Sequence, residues 1–346
     1  MKAAAALVLL AFAFVASSAS ATPSRWSLAR SEVRYQEEVA VRDAEAKLIE
    51  SASQRRRERD PLADPKTPIR EALAALEAAG ITKASSLEPR RLLARALQGL
   101  SRWPEAVPIW ESILRDGATP APIRSDALSE LAIAYARVDR QSDETNAYEA
   151  ALALEEGGSS AQMLPIDWPS GGRVTMLANQ AEAFMAQGDI ERAIAGYRAS
   201  LESVDSTLMG LAFSPTTLWS LGVALDRAGD LSGGLDSIAL ARSYDPNDAR
   251  IKGPSWFFVP SYDEHYYWAL GHWLVGRRAA DQDDRIAGYE RSVASWASFL
   301  AAAPEGDKYV PIARARLRLA QKELDALRKL ASTPTPIDPR KPAQPE

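Results

Sequence analysis

The sequence predicts an all-α protein built from stacked helical hairpins, and two observations support this fold class. Apolar residues recur at the helical spacing of three and four in successive segments of the 346-residue chain. Breaks made of Gly-Asp pairs or prolines separate these apolar stripes. Paired stripes of this kind cannot bury their apolar faces alone, so each hairpin predicts neighbours of the same kind.

The clearest hairpin runs from Pro215 to Asn247. It reads Leu218-x2-Leu221-Gly222-x2-Leu225, then Gly229-Asp230, then Gly234-x3-Ile238-x2-Ala241, and it ends at Pro246. This pattern resembles the tetratricopeptide repeat (TPR), a helical hairpin of about 34 residues. The resemblance implies a small residue inside each helix, where the two backbones approach closely.

Partial copies of the same pattern flank this hairpin, and together they cover roughly residues 88–304. They lie at 93–110, 128–151 and 177–197, and a fifth begins at Tyr267 and ends at Pro304. Glu144 occupies the small-residue position of the second repeat, and an insertion around Gln282 predicts a longer turn in the fifth. Several legible repeats in tandem predict an α-solenoid of about five TPR-like hairpins.

The N-terminus predicts a secretory signal over residues 1–21. Lys2 supplies the positive charge, Ala3–Ala16 the apolar core, and Ala19-Ser20-Ala21 a small-residue cleavage site. An apolar run of about 14 residues is too short to span a bilayer of roughly 30 Å. We therefore expect cleavage after Ala21, a periplasmic or secreted protein, and no integral membrane segment after cleavage.

The rest of the chain divides into four predicted regions. A helical arm and linker occupy 22–65, and the TPR-like array occupies 66–304. A helix over 305–331 has apolar residues at spacings of three and four, as a helix that caps the last repeat requires. Residues 332–346 hold five prolines, which predicts a disordered tail.

Composition and motifs exclude several classes of function. Without Lys2 the chain has 40 basic and 46 acidic residues, a formal charge of −6, which argues against nucleic acid as the main partner. The absence of cysteine excludes disulfides and thiol chemistry. No phosphate-binding loop, nucleophile elbow or zinc-protease motif is present, so we predict neither an enzyme nor a cofactor.

The TPR resemblance implies that the first helix of each repeat lines an inner, concave groove. Residues offset by about one position from the core signature then face that groove. The predicted partner-binding residues are Glu182, Met185, Trp219, Val223, Asp226, His265, Trp268 and His272. Trp219 and Trp268 hold the same position in neighbouring repeats, as buried anchors for a partner side chain would.

Two alternatives stay open. In one, the apolar run Trp256–Pro260 folds back and fills the groove as an internal plug; in the other, the groove is free for a partner. The sequence favours neither of the two.

As an alternative function, the groove wall of Trp219, Trp268, His265 and His272 predicts a small-ligand or metal-binding protein. Metal binding is disfavoured because His265 and His272 are seven residues apart, whereas helical ligand pairs more often lie three or four apart. The favoured function is an exported scaffold or adaptor for a protein partner.

Overall fold

The computed structural model describes residues 33–57, 64, 66–156, 172–204, 208–253 and 258–331. Within these ranges every regular element is a helix and none is a strand, so the predicted all-α class is confirmed. The predicted signal peptide and the predicted tail lie outside the described residues. The helices are α1 Val33–Arg57, α2 Thr67–Ala78, α3 Leu87–Gly99, α4 Trp103–Arg115, α5 Ala121–Ala136, α6 Gln141–Glu156, α7 Gly172–Gln187, α8 Ile190–Glu202, α9 Leu208–Arg227, α10 Leu231–Tyr244, α11 Ala249–Lys252, α12 Asp263–Arg278, α13 Gln282–Ala302 and α14 Val310–Ala331.

These helices form two compact units. Helices α1–α5 belong to the first unit, in which α1 packs on α2 and α3, and α4 packs between α3 and α5. The predicted arm is thus a helix, α1, that buries Ala44 and Leu48. Helices α6–α14 belong to the second unit.

In the second unit, consecutive helices pack in pairs, and the largest contacts are α7 with α8, α9 with α10, and α12 with α13. Each pair also contacts the next, through α8 with α9 and α10 with α12. An aromatic core joins these pairs. Its fully buried members are Trp219, Trp273, Trp296, Tyr197, Tyr266, Tyr267 and Phe299.

The two Gly-Asp breaks have a clear physical basis. Gly188 and Gly229 adopt φ angles of 83° and 99°, in the left-handed region that ends a helix and that favours glycine. The aspartate that follows caps the next helix: an Asp189 carboxylate oxygen accepts from the Arg192 amide, and Asp230 accepts from the Gly233 amide. Each dipeptide therefore ends one helix and starts its partner.

The α9–α10 pair shows the expected close approach at glycine. A Cβ atom at Gly234 would lie 2.6 Å from the Gly222 carbonyl oxygen, and one at Gly222 would lie 2.8 Å from the Gly234 carbonyl oxygen. These distances are shorter than a van der Waals contact, so the two backbones can meet here only without side chains.

The predicted long turn around Gln282 is wrong. Helix α12 ends at Arg278 and α13 already begins at Gln282. Asp281 caps α13 by accepting from the amides of Asp283 and Asp284 at 2.8 and 3.2 Å. Polar residues in this stretch form a first helical turn, because a capping carboxylate satisfies their amides.

None of the described helices combines the length and the apolar character that a membrane-spanning segment needs.

Candidate functional site

Trp219 on α9 lies in the core rather than on an open groove. Its side chain is 1% exposed. The indole stacks at 6.5 Å on Tyr267 and meets Trp268 edge-on at 5.8 Å, both on α12. Gly271 permits this approach, because a Cβ atom there would lie 2.5 Å from the Trp219 ring. The expectation that Trp219 faces a partner is wrong, since α12 covers it.

Val223, Asp226 and Met185 were expected on the same open wall and are also buried, with exposures of 0%, 0% and 1%. The Asp226 carboxylate accepts from the Tyr266 hydroxyl and from Arg316 Nε, each at 2.7 Å. Helix α14 supplies that arginine. The residue before α14, Tyr309, donates its hydroxyl to the Met185 carbonyl. The start of α14 therefore covers the ends of α7 and α9, and these three positions are core positions.

Glu182, on α7, is half-buried and takes part in an internal polar network. Its carboxylate accepts from the Tyr197 hydroxyl and, at 3.4 Å, from the Tyr267 hydroxyl. The Tyr267 oxygen also lies 3.0 Å from Ser220 Oγ. Burial raises the pKa of Glu182. This carboxylate is held by side chains of its own unit, which accounts for its presence without a partner.

Glu144 adds a second carboxyl group near Glu182. It lies on α6, which packs on α7, and it is 7% exposed. Burial, followed by the charge of Glu182, raises the pKa of Glu144 to about 8. The signal for this residue was its departure from the repeat pattern, in which a small residue is expected at this position.

Trp268, His265 and His272, the remaining predicted residues, lie half-buried on α12. His272 stacks on Trp268 with ring centroids 6.2 Å apart. Lys252, at the end of α11, places its ammonium nitrogen 5.5 Å from the Trp268 ring centroid, within reach of a cation–π interaction. We call Trp268, His265, His272, Lys252 and the exposed Glu264 the Trp268 surface.

Arg242 on α10 contacts residues next to this surface. Its guanidinium pairs with both carboxylate oxygens of Asp248 at 3.0 Å and donates to the Gly271 carbonyl at 2.8 Å. It also lies 5.2 Å from the centroid of the buried Trp219 ring. One side chain thereby joins α10, the residue before α11, and α12.

His272 is a neutral imidazole at neutral pH. Burial, followed by the positive charges of Arg291 and Arg242, lowers its pKa to about 4. Its Nδ1 lies 3.2 Å from Ser295 Oγ on α13, which fixes the ring. The Trp268 surface thus combines an indole, two imidazoles, one ammonium group and the Glu264 carboxylate, which accepts from Trp268 Nε1 at 3.3 Å.

The apolar run Trp256–Pro260 is described only from Phe258 onward. The Phe258 ring is half-buried and meets the Tyr267 ring edge-on at 5.1 Å. This contact agrees with the internal-plug alternative for that residue. Trp256 and Phe257 lie outside the described residues.

Among the described residues, no group of three or more His, Cys, Asp or Glu side chains is placed to hold a metal ion. Asp263, close to His265 in the sequence, accepts from Arg227 at 2.8 Å, and both side chains are buried.

The first unit contains a polar cluster that sequence reasoning missed. Asp126 on α5 accepts from Arg91 and Arg95 on α3 at 3.0 and 2.9 Å, and Arg91 is 2% exposed. Burial raises the pKa of the nearby Glu130 to about 7. Two arginines four residues apart, opposite two acids four residues apart, were the available signal. Their mutual pairing favours a role in joining α3 to α5.

No protein-family model matches this chain, and no curated protein matches it. Among solved structures, the crystal structure of BtubC (BKLC) from P. vanneervenii is similar, with 15% identity and a TM-score of 0.36. The alignment covers 88% of this chain and 97% of that chain. A TM-score this low carries no argument about function.

Proposed function

We propose that this chain is an exported TPR-like scaffold that binds a protein partner. Export rests on the signal pattern of residues 1–21. The packing of α7 with α8, α9 with α10, and α12 with α13 supports hairpins of the TPR type, as do the Gly-Asp turns. In this proposal α14 is the capping helix, since it packs on α13.

The binding surface is the Trp268 surface, and the half-buried Trp268 indole is the observation that carries the proposal. The Trp268 ring meets the buried Trp219 ring in an edge-on contact, which fixes the orientation of Trp268 before a partner binds. An oriented aromatic ring loses little conformational entropy on binding, which is why tryptophan is enriched among residues that dominate interface affinity. His272 and Lys252 flank the ring with a neutral face and a positive charge.

The buried predicted residues have a different role in this proposal. Trp219, Val223, Asp226 and Met185 cannot touch a partner while the unit is folded, because each is at most 1% exposed. Of these four, Trp219 supports the Trp268 ring. The small-ligand or metal alternative stays a prediction, which a thermal shift titration with zinc, nickel or copper tests.

Site-specific photo-crosslinking in the native cells tests the proposal. A photoreactive amino acid replaces the exposed Glu264 in the full chain, and the matched control places it at the exposed Arg198 on α8. We expect a covalent protein adduct from position 264 that falls at least about tenfold when Trp268→Ala is added, since a dominant anchor is worth more than about 1.4 kcal/mol. An adduct that persists in Trp268→Ala, or that forms equally at position 198, would refute this surface.

A further inference from the structure

An open groove lies between α13 and α14, away from the residues of the Trp268 surface. Its volume is about 620 Å³. Its lining residues are Val293, Ala297, Leu317, Arg318, Gln321, Lys322 and Asp325. The apolar residues Val293 and Leu317 are half-buried there, and Ala297 is exposed.

The position of this groove follows from the packing order of the unit. Helix α9 contacts α8 before it and α10 after it, and α12 contacts α10 before it and α13 after it. Helix α14 contacts α13 before it, and within the described residues no helix follows it. The groove between α13 and α14 therefore lies where the next helix of the series would pack.

The charges along α14 indicate what kind of helix fits. Arg314, Arg318 and Lys322 follow one another at intervals of four residues, so they share one face of the helix. All three are exposed, and none has an ion-pair partner among the described residues. Three like charges in a row repel one another, and an acidic partner would relieve that repulsion.

The acidic groups nearby do not neutralise this row. The Asp325 carboxylate accepts from the Gln321 amide at 2.9 Å. On the facing helix, Glu290 is paired with Arg328 at 2.6 Å. The two lining cations, Arg318 and Lys322, thus outnumber the one lining carboxylate, Asp325.

We propose that this groove binds an amphipathic helix of a partner protein, with an apolar face toward Val293 and Leu317 and glutamate or aspartate residues along one edge. A helix as long as the 22-residue α14 would run about 33 Å beside it. A second copy of this chain fits less well, because a two-fold contact between two α14 helices would bring the two cation rows together. The inference does not depend on the Trp268 surface.

Fluorescence anisotropy with the full chain and two synthetic helical peptides of about 20 residues tests this proposal. The peptides share one leucine-alanine face and differ only in flanking glutamates or lysines. We expect the glutamate peptide to bind at least about tenfold more tightly than the lysine peptide, as complementary charge requires. The Arg318→Glu/Lys322→Glu double variant should reverse that preference, whereas Arg198→Glu on α8 should leave it unchanged. Thermal melting of each variant shows that the fold is retained.

Three results would overturn the proposal. The first is equal affinity for the two peptides, or binding of neither. The second is a dimer, seen by light scattering, that the double variant dissociates, since a second copy would then occupy the groove. The third is peptide binding that requires removal of residues 332–346, which would make the chain's own C-terminus the occupant.

Discussion

The burial of Glu144 makes the stability of the folded protein depend on pH. Its pKa rises from 4.5 to about 8 because burial disfavours the charged form and Glu182 repels it. Below pH 4.5 both the folded and the unfolded states hold this proton. Between pH 4.5 and 8 the folded state keeps it and the unfolded state loses it, so stability falls as pH rises through that window.

Glu144→Gln should remove this pH dependence, because glutamine resembles the protonated acid and never ionises. At about 1.4 kcal/mol per pKa unit, the variant should gain up to roughly 5 kcal/mol over the parent above pH 8 and little at pH 4.5. Urea unfolding at both pH values measures the difference. Glu149→Gln, an exposed position on the same helix, is the control. The same pH dependence of the free energy of unfolding in Glu144→Gln and the parent would show that folding does not raise the pKa of Glu144.

Trp219 and Trp268 should differ in their contribution to folding, since the first is 1% exposed and the second is half-buried. Trp219→Ala should lower the free energy of unfolding by about 3–5 kcal/mol through the cavity it leaves. Trp268→Ala should cost about 1 kcal/mol, the size of one lost aromatic pair. Chemical denaturation of both variants decides this, and equal losses would contradict the burial described for Trp219.

At the scale of elements, α9 and α10 depend on a contact between two backbones. Gly234→Ala should destabilise the protein by about 1–3 kcal/mol, because its Cβ atom would lie 2.6 Å from a carbonyl oxygen and the helices must separate. Gly306→Ala is the matched control, since no atom lies within 4 Å of the position that its new methyl group would take. A Gly234→Ala variant that melts at the parental temperature would mean that the helices are farther apart.

Helix α14 should be required for the second unit to remain folded and free of aggregation. Removing the chain from Tyr309 onward deletes Arg316, which pairs with the buried Asp226, and exposes the face of α13 that α14 covers. An unpaired buried carboxylate and an exposed apolar face both disfavour the soluble monomer. Light scattering should detect aggregation of the shortened chain. A monomer with the parental melting temperature would exclude this role for α14.

Local elements were the most predictable part of this fold. The Gly-Asp pairs mark helix ends in the sequence because the left-handed glycine and the capping aspartate act within a few residues. The helix start at Gln282 was missed, although Asp281 caps it by the same mechanism. A polar stretch suggests a loop, but the first turn of a capped helix is polar too, so composition alone does not separate the two.

For the whole molecule, the candidate site was predicted only in part. Trp219 and Trp268, which share a position in neighbouring repeats, meet with ring centroids 5.8 Å apart, and His272 stacks on Trp268. Which of them stays accessible depends on contacts made by residues far away in the sequence. Gly271 admits the Trp219 ring, and Arg316 reaches Asp226 across 90 positions, and neither contact leaves a periodic signal in the sequence.

The central claim is that Trp268, supported from below by Trp219, anchors a protein partner. The most direct test uses the purified partner that crosslinking identifies. Its dissociation constant is measured for the full chain and for Trp268→Ala, together with the melting temperature of each protein. We expect the dissociation constant to rise about 30-fold or more, equivalent to about 2 kcal/mol, while the melting temperature changes little. An unchanged dissociation constant in a folded Trp268→Ala protein would contradict the claim.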